Sequence, residues 1–218
     1  MEYIKFYEEF NTSMFNIDIL KQLKSFKAKE KYCNETLTRV AAGSSRIVYR
    51  IDNNRVLKLA KNNKGYLQNY KEYDVSKLYS DIVAKVLEDG YNEITDKYDW
   101  LISEAGTKIS KKKFEVLSKI NFDKYSSYIS YEFYSTNPQL DRGGHSARIA
   151  KSNLTEQDFD YILNECDDFV HEVCALMADY EIMVGDLTRI SSYGTVKRNG
   201  EDVLVLLDYG ADKDYFNL

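Results

Sequence analysis

The 218-residue sequence has a single proline and three cysteines, and nowhere an apolar run that approaches the length of a membrane span. Without such a run there is no candidate transmembrane helix, and no N-terminal stretch resembles a signal peptide. The thiols Cys33, Cys166 and Cys174 are odd in number and lack metal-ligand spacing, so reduced cysteines are expected. The eight-residue gap between Cys166 and Cys174 suggests packing on one helix. An excess of positive charge is also missing. Thirty Lys and Arg against 35 Asp and Glu give a net charge of −5, which removes any general electrostatic reason to bind nucleic acid or anionic membrane and leaves only a local basic patch. No internal repeat and no low-complexity linker is present. A cytoplasmic protein is expected, in a bacterium or in the host cell of a phage. The 19 tyrosines beside one proline read as drift in an AT-rich genome more than as chemistry.

Apolar residues make up 44% and charged residues 30% of the chain, the balance of an ordinary globular protein. Its length allows one domain or two small lobes. Residues 1–38 read as helical from Met14, Phe15, Ile17, Leu20 and Leu23. From Val40 the pattern changes to strands. "RIVYRID" (46–52) and "RVLKLA" (55–60) flank Asp52-Asn53-Asn54 as a hairpin. A helix over 64–80 follows, with Leu67, Tyr70, Tyr73 and Leu78 toward one side, and then strands over 82–92 and 98–106. The expected N-terminal half is β-β-α-β-β, a small antiparallel sheet against one helix.

The second half begins with a helix near 111–120, then a tyrosine-rich stretch and a loop over 135–150 marked by Pro138, Gly143 and Gly144. One long helix is expected from Thr155, its cap, to Met177, on the spacing of Phe159, Ile162, Leu163, Cys166, Phe169, Val170, Val173 and Cys174. Residues 183–196 read as a loop entering a strand, "KRNG" as a turn, and 201–210 as the closing strand.

Four local features carry chemistry, and each has a plain structural alternative. "AAGSSRIVY" (41–49) is a small-residue turn whose backbone amides have steric room to approach phosphate oxygens, or it is a simple loop. Lys58, inside the apolar "VLKLA", needs an anion or a route to solvent. Glu72, fourteen residues on, is either its partner or a surface residue. Asp186 in "VGDL" is placed to orient or deprotonate a hydroxyl, or to shape a turn. Asp208 ends an apolar strand at Asp208-Tyr209-Gly210, where a hard carboxylate oxygen suits Mg²⁺ and a turn residue suits equally.

The order of these features resembles the protein-kinase-like superfamily, including its compact bacterial and phage members and the aminoglycoside-phosphotransferase branch. The resemblance spans about residues 39–212. It implies an α+β, two-lobed protein-kinase-like fold: a helical extension over 1–38, an N-lobe over 39–106 of small antiparallel sheet plus one helix, and a truncated, mainly helical C-lobe over 107–218. ATP and Mg²⁺ would be the cofactors. Gly43, Ser44 and Ser45 would form the phosphate loop, Lys58 paired to Glu72 would meet the phosphates, and Glu104, Ala105 and Gly106 would lie near the adenine. Asp186 would be the catalytic aspartate and Asp208 the magnesium ligand, with Tyr209 in place of the family's Phe.

Several positions depart from the family pattern. The phosphate loop has one glycine, Val184 replaces a usual His, and the second metal ligand falls on Ser191 or, one residue on, Ser192. Eight residues follow Gly210, so no activation segment is expected. The leading reading is a minimal ATP/Mg²⁺-dependent phosphotransferase acting on a hydroxyl: a protein Ser/Thr by preference, the protein itself, or a small metabolite. Arg142, His145 and Arg148 in the 134–152 loop are candidate acceptor contacts, although a solvent-facing His145 is the plainer reading. The alternative is a catalytically inactive kinase-like nucleotide-binding or regulatory protein-interaction module.

Overall fold

The structure, a computed structural model, describes residues 15–166 and 168–209. The expected helical stretch before Phe15 and Gly210 of the strand-end motif therefore lie outside the described residues. The protein is α+β, and the described chain divides into two compact units, residues 15–76 with 85–105 and residues 77–84 with 106–209.

The first unit opens with two short helices, α1 (Ile17–Gln22) and α2 (Phe26–Thr36), capped by Asn16 and Ser25 side chains that accept backbone N–H groups. Strands β1 (Thr38–Ala42), β2 (Arg46–Arg50), β3 (Arg55–Ala60), β4 (Val86–Asn92) and β5 (Lys97–Glu104) form one antiparallel sheet in the order β1-β2-β3-β5-β4. Its core gathers Ile47, Tyr49, Leu57, Leu59, Trp100 and Ile102 with Leu20 and Cys33 from the helices. The sheet has one strand more than the β-β-α-β-β reading. β1 is exposed along its whole length, so no alternation of apolar and polar residues announces it.

Helix α3 (Asn63–Leu78) packs on the opposite logic to the one expected. Its buried positions are Gly65, Gln68, Asn69, Glu72, Val75 and Ser76, while Leu67, Tyr70 and Leu78 are exposed. The polar face is turned inward because it carries bonding partners for β2, β3, β4 and β5 rather than grease. Asn69 Nδ2 donates to Tyr98 O at 2.9 Å, and Ser76 Oγ accepts from Val86 N at 2.8 Å.

The second unit holds a three-stranded antiparallel sheet, β6 (Thr107–Lys108), β7 (Tyr193–Arg198) and β8 (Glu201–Leu206). Segment 82–84 runs parallel beside β8, with Ala84 N donating to Leu206 O and Leu206 N to Ile82 O, both at 2.8 Å. The β7–β8 turn is made by Asn199 and Gly200, both at positive φ. The helices are α4 (Lys111–Ser118), α5 (Phe122–Thr136), α6 (His145–Ser152), α7 (Glu156–Asn164), α8 (Asp168–Tyr180) and the one-turn α9 (Val184–Leu187). Phe114, Phe122, Tyr125, Phe169 and Tyr193 pack together in their core, with Phe114–Tyr125 tilted and most of the other pairs edge-to-face.

Two expectations are corrected here. The 135–150 stretch is no simple loop, because α6 begins at His145. The buried Asp141 carboxylate accepts Ser146 N and Ala147 N at 2.8 Å each, doing the capping that Gly144, lacking a side chain, cannot do. Asp141 is held below the ordinary aspartate range: burial pushes it up, but these N–H groups prevail. The single helix from Thr155 to Met177 is two. Thr155 and Asp158 form a full capping box at the start of α7, but Glu165 N and Cys166 N both converge on Tyr161 O and end it. Cys166 therefore sits at the break, apart from Cys174 in α8, and all three cysteines are free thiols. Among the described residues no helix is long and apolar enough to cross a membrane.

Candidate functional site

In the first unit the apolar β3 places Lys58 in its middle, and the inward polar face of α3 meets it. Lys58 Nζ donates to Glu72 Oε2 at 2.6 Å, with Glu72 fully buried and Lys58 only 7% exposed. The other oxygen, Oε1, lies 2.8 Å from Arg46 Nη2, a charge contact outside hydrogen-bond alignment. Arg46 Nη1 also reaches Asn69 Oδ1 at 3.4 Å. One carboxylate thus orients two cations. Burial alone would raise the Glu72 carboxyl, but the charges of Arg46 and Lys58 outweigh it and hold Glu72 below its ordinary value. Arg46 was not among the residues marked in the sequence. Its signal was a cation immediately after the small-residue turn, at the head of a strand whose next residue, Ile47, is core.

The turn at 43–45 joins β1 to β2 and is tied down mainly through its carbonyls. Lys61 Nζ donates to Gly43 O and Asn62 Nδ2 to Ser44 O, both at 3.0 Å, and Lys61 N donates to Ser45 O at 2.8 Å. A side chain at Gly65 would collide with Ser45 O, so this glycine lets α3 approach the turn. Gly43 N–H is used within the turn by Arg46 O, and the buried Ser45 hydroxyl donates to Gln68 Oε1 at 2.6 Å. Gly43 and Ser44 are exposed. At the end of β5, Glu104 Oε2 accepts from Lys85 N at 2.8 Å and Ala105 N donates to Asn54 O at 2.7 Å.

In the second unit the two aspartates come from different elements. Asp186 belongs to α9, where its N–H bonds Met183 O at 3.0 Å and Thr188 N closes on Val184 O at 3.0 Å. Its carboxyl is half-buried, with Arg189 Nη2 3.8 Å away on an exposed arm. Asp208 follows β8 and is exposed. Burial first, and then the nearby Asp208 charge, push the Asp186 carboxyl up to about 6, with Arg189 pulling the other way.

The hydroxyl of Tyr209 has a structural use. It is fully buried, and its hydroxyl donates to Ala84 O at 2.8 Å, a bond that a phenyl ring cannot make. Gly106 and Gly194 leave room for Leu207: a Cβ at either would meet that side chain, and at Gly194 also Thr107 O. The residue before Asp208 is therefore gripped on two sides. Ser191 is exposed in the short turn before β7, and Ser192 is buried, its carbonyl accepting Leu207 N at 2.7 Å.

No cluster of three or more His, Cys, Asp or Glu suited to a metal is found among the described residues. The donor set on offer is two mutually repelling carboxylates with a serine hydroxyl in the same unit. That fits Mg²⁺, which takes one or two carboxylates and completes its shell with water and phosphate. His145 and Arg148 lie together on α6, 3.2 Å apart and exposed.

No protein-family model matches the sequence, and no curated protein matches it. Among solved structures, the chain is similar to a GDP complex of a point mutant of aminoglycoside 2'-phosphotransferase-IIIa, with 14% identity and a TM-score of 0.39 over 88% of this chain and 75% of that one. The GDP complex of the wild-type enzyme gives 11% identity and a TM-score of 0.36, over 88% and 76% of the two chains. The streptomycin-ATP-APH(2")-IIa ternary complex gives 11% and 0.35, over 88% and 74%.

Proposed function

We propose that the chain is an ATP-dependent phosphotransferase that moves the γ-phosphoryl group to a hydroxyl acceptor. The observation that carries this reading is the strand lysine Lys58 held at 2.6 Å by the buried Glu72, which shares its second oxygen with Arg46. Such a pair orients a fixed positive charge for phosphate oxygens, and the mutually repelling Asp186 and Asp208 supply the acidic half of the chemistry. Asp208, with Ser191 as a second oxygen, would hold Mg²⁺; the ion would neutralise phosphate charge and orient the leaving diphosphate. Asp186 would accept the proton of the acceptor hydroxyl as its oxygen bonds to the γ-phosphorus. The bond from that phosphorus to the bridging oxygen breaks, and ADP leaves with the bonding electrons. Gly43 and Ser44 are the exposed members of the turn proposed to face phosphate, although Gly43 N–H is bonded to Arg46 O, with Glu104, Ala105 and Gly106 as the adenine-side segment. Nothing among the described residues favours a protein serine or threonine over a small-molecule alcohol, so the proposal is made for the hydroxyl class.

A second reading, a nucleotide-binding module without turnover, draws on a specific observation. The position of the second metal ligand carries a serine, Ser191, in place of an amide, and among the described residues no cluster of three or more His, Cys, Asp or Glu is suited to a metal. One experiment separates the two. Wild type, Lys58→Ala and Asp208→Ala are incubated with γ-labelled ATP, Mg²⁺ and a panel of alcohols and serine peptides, while thermal shift is followed in parallel. The phosphotransferase reading expects label transfer by wild type and its loss in both variants. An ATP-dependent shift with no transfer to any acceptor selects the binding module, and no nucleotide-dependent shift at all defeats both readings.

A further inference from the structure

We infer that Tyr193 is a positioning residue whose hydroxyl fixes the turn carrying Asp186, while the backbone of its neighbour Ser192 holds Leu207 and so the approach to Asp208. The inference rests on the phosphotransferase reading for its consequence, but its geometry stands apart from it. Tyr193 is fully buried at the head of β7, where its hydroxyl lies 2.8 Å from Leu187 O and 2.5 Å from the Tyr125 hydroxyl. A carbonyl oxygen only accepts, so the one phenolic proton of Tyr193 goes to Leu187. Tyr125 must then donate to the Tyr193 oxygen, which makes a one-way chain from Tyr125 through Tyr193 to Leu187 O.

Leu187 directly follows Asp186. Among the described residues the turn's other bonds, from Asp186 N to Met183 O and from Thr188 N and Thr188 Oγ1 to Val184 O, are local to it and shape it without attaching it elsewhere. The carboxyl itself meets Arg189 only at 3.8 Å, so its placement follows from where the backbone of the turn is held. The backbone around Tyr193 does the complementary work. Tyr193 is in register with Leu206, and Leu207 N donates to Ser192 O at 2.7 Å, which leaves Asp208 one residue beyond the last bond. A path of one side-chain and one strand hydrogen bond therefore joins the two carboxylates. Neither tyrosine was marked in the sequence, because the use of a buried hydroxyl depends on a partner that only the folded chain supplies.

The test is Tyr193→Phe in the full chain, which keeps the ring among Phe114, Phe122, Tyr125 and Phe169 and removes only the oxygen. Activity is read well below the melting temperature of each protein. Tyr193→Phe is expected to lower kcat by roughly 10- to 100-fold while the KM for ATP stays within about twofold, as a displacement near 1 Å at a reacting group would do. Tyr125→Phe, which leaves the bond to Leu187 in place, should lower it less. An unchanged kcat in Tyr193→Phe, or a loss that matches only the unfolded fraction, overturns the inference. A second reading does not need turnover. In isotope-labelled protein, Tyr193→Phe should move the Leu187 carbonyl resonance and the amide resonances of both Asp186 and Asp208. Shifts confined to β7 would overturn the inference even if phosphoryl transfer is intact, and if wild type transfers nothing, this measurement still decides it.

Discussion

Asp186 is the residue at which burial and charge oppose ionisation most clearly. With burial and Asp208 lifting its carboxyl to about 6, the folded protein holds that proton at pH values where an unfolded aspartate, near 3.8, has released it. The folded state then binds more protons than the unfolded one, so this group makes stability fall as pH rises from about 4 to 6, with the full penalty above that. Asp186→Asn removes the penalty. In magnesium-free buffer the variant should be more stable than wild type at pH 7.5, on the order of 3 kcal/mol, and nearly equal to it near pH 3.5, as thermal or urea denaturation would show. Equal stabilities at both pH values would contradict the lifted carboxyl. Glu72 has the opposite sign. Its carboxyl is held below the ordinary value, so its contribution is present at neutral pH and lost as pH falls through the folded value. Glu72→Gln removes the carboxylate charge beside Lys58 and Arg46, and at pH 7 it should destabilise by roughly 3–5 kcal/mol. A denaturation midpoint like that of wild type would mean the two cations find other anions.

At the scale of elements, packing around Leu207 decides where β8 delivers its last residues. Gly194→Ala drives a methyl against Leu207 and the backbone of Thr107, and should destabilise by roughly 1–3 kcal/mol, read as a fall in melting temperature. Gly43→Ala, whose Cβ would meet only Arg46 O at 4.0 Å, should leave that temperature unchanged. A tolerant Gly194 would refute the tight grip. These elements also show what a sequence reader can see. The β2–β3 hairpin and β8 were legible because apolar and β-branched residues run in short blocks bounded by Asn, Asp and Gly. Lys58 stood out because a charge in an apolar strand demands an explanation, and Glu72 as the candidate anion for it. β1 was hidden by its exposure, and α3 by a buried face of Gln, Asn and Glu that a hydrophobic pattern reads as solvent-facing. The break after α7 contains neither Pro nor Gly, so the helical spacing ran on through it. Arg46, Tyr125 and Tyr193 were missed for a common reason: each matters through a partner that only the folded chain supplies.

At the scale of the whole molecule, ionisable side chains are distributed so that the cations and the carboxylates of the proposed chemistry are each held by their own unit. Lys58, Arg46 and Glu72 are locked by the sheet and α3, and Asp186 and Asp208 by the β7–β8 framework with its tyrosine hydroxyls. With a net charge of −5, attraction for an anionic nucleotide has to come from such local placement. The measurement that bears most directly on this account is the rate of γ-phosphoryl transfer from labelled ATP by wild type and by Asp186→Ala, with ATP-dependent thermal stabilisation recorded beside it. Loss of a general base should slow transfer by roughly 10²–10⁴-fold while the stabilisation by ATP persists. Transfer at the wild-type rate in Asp186→Ala would contradict the account.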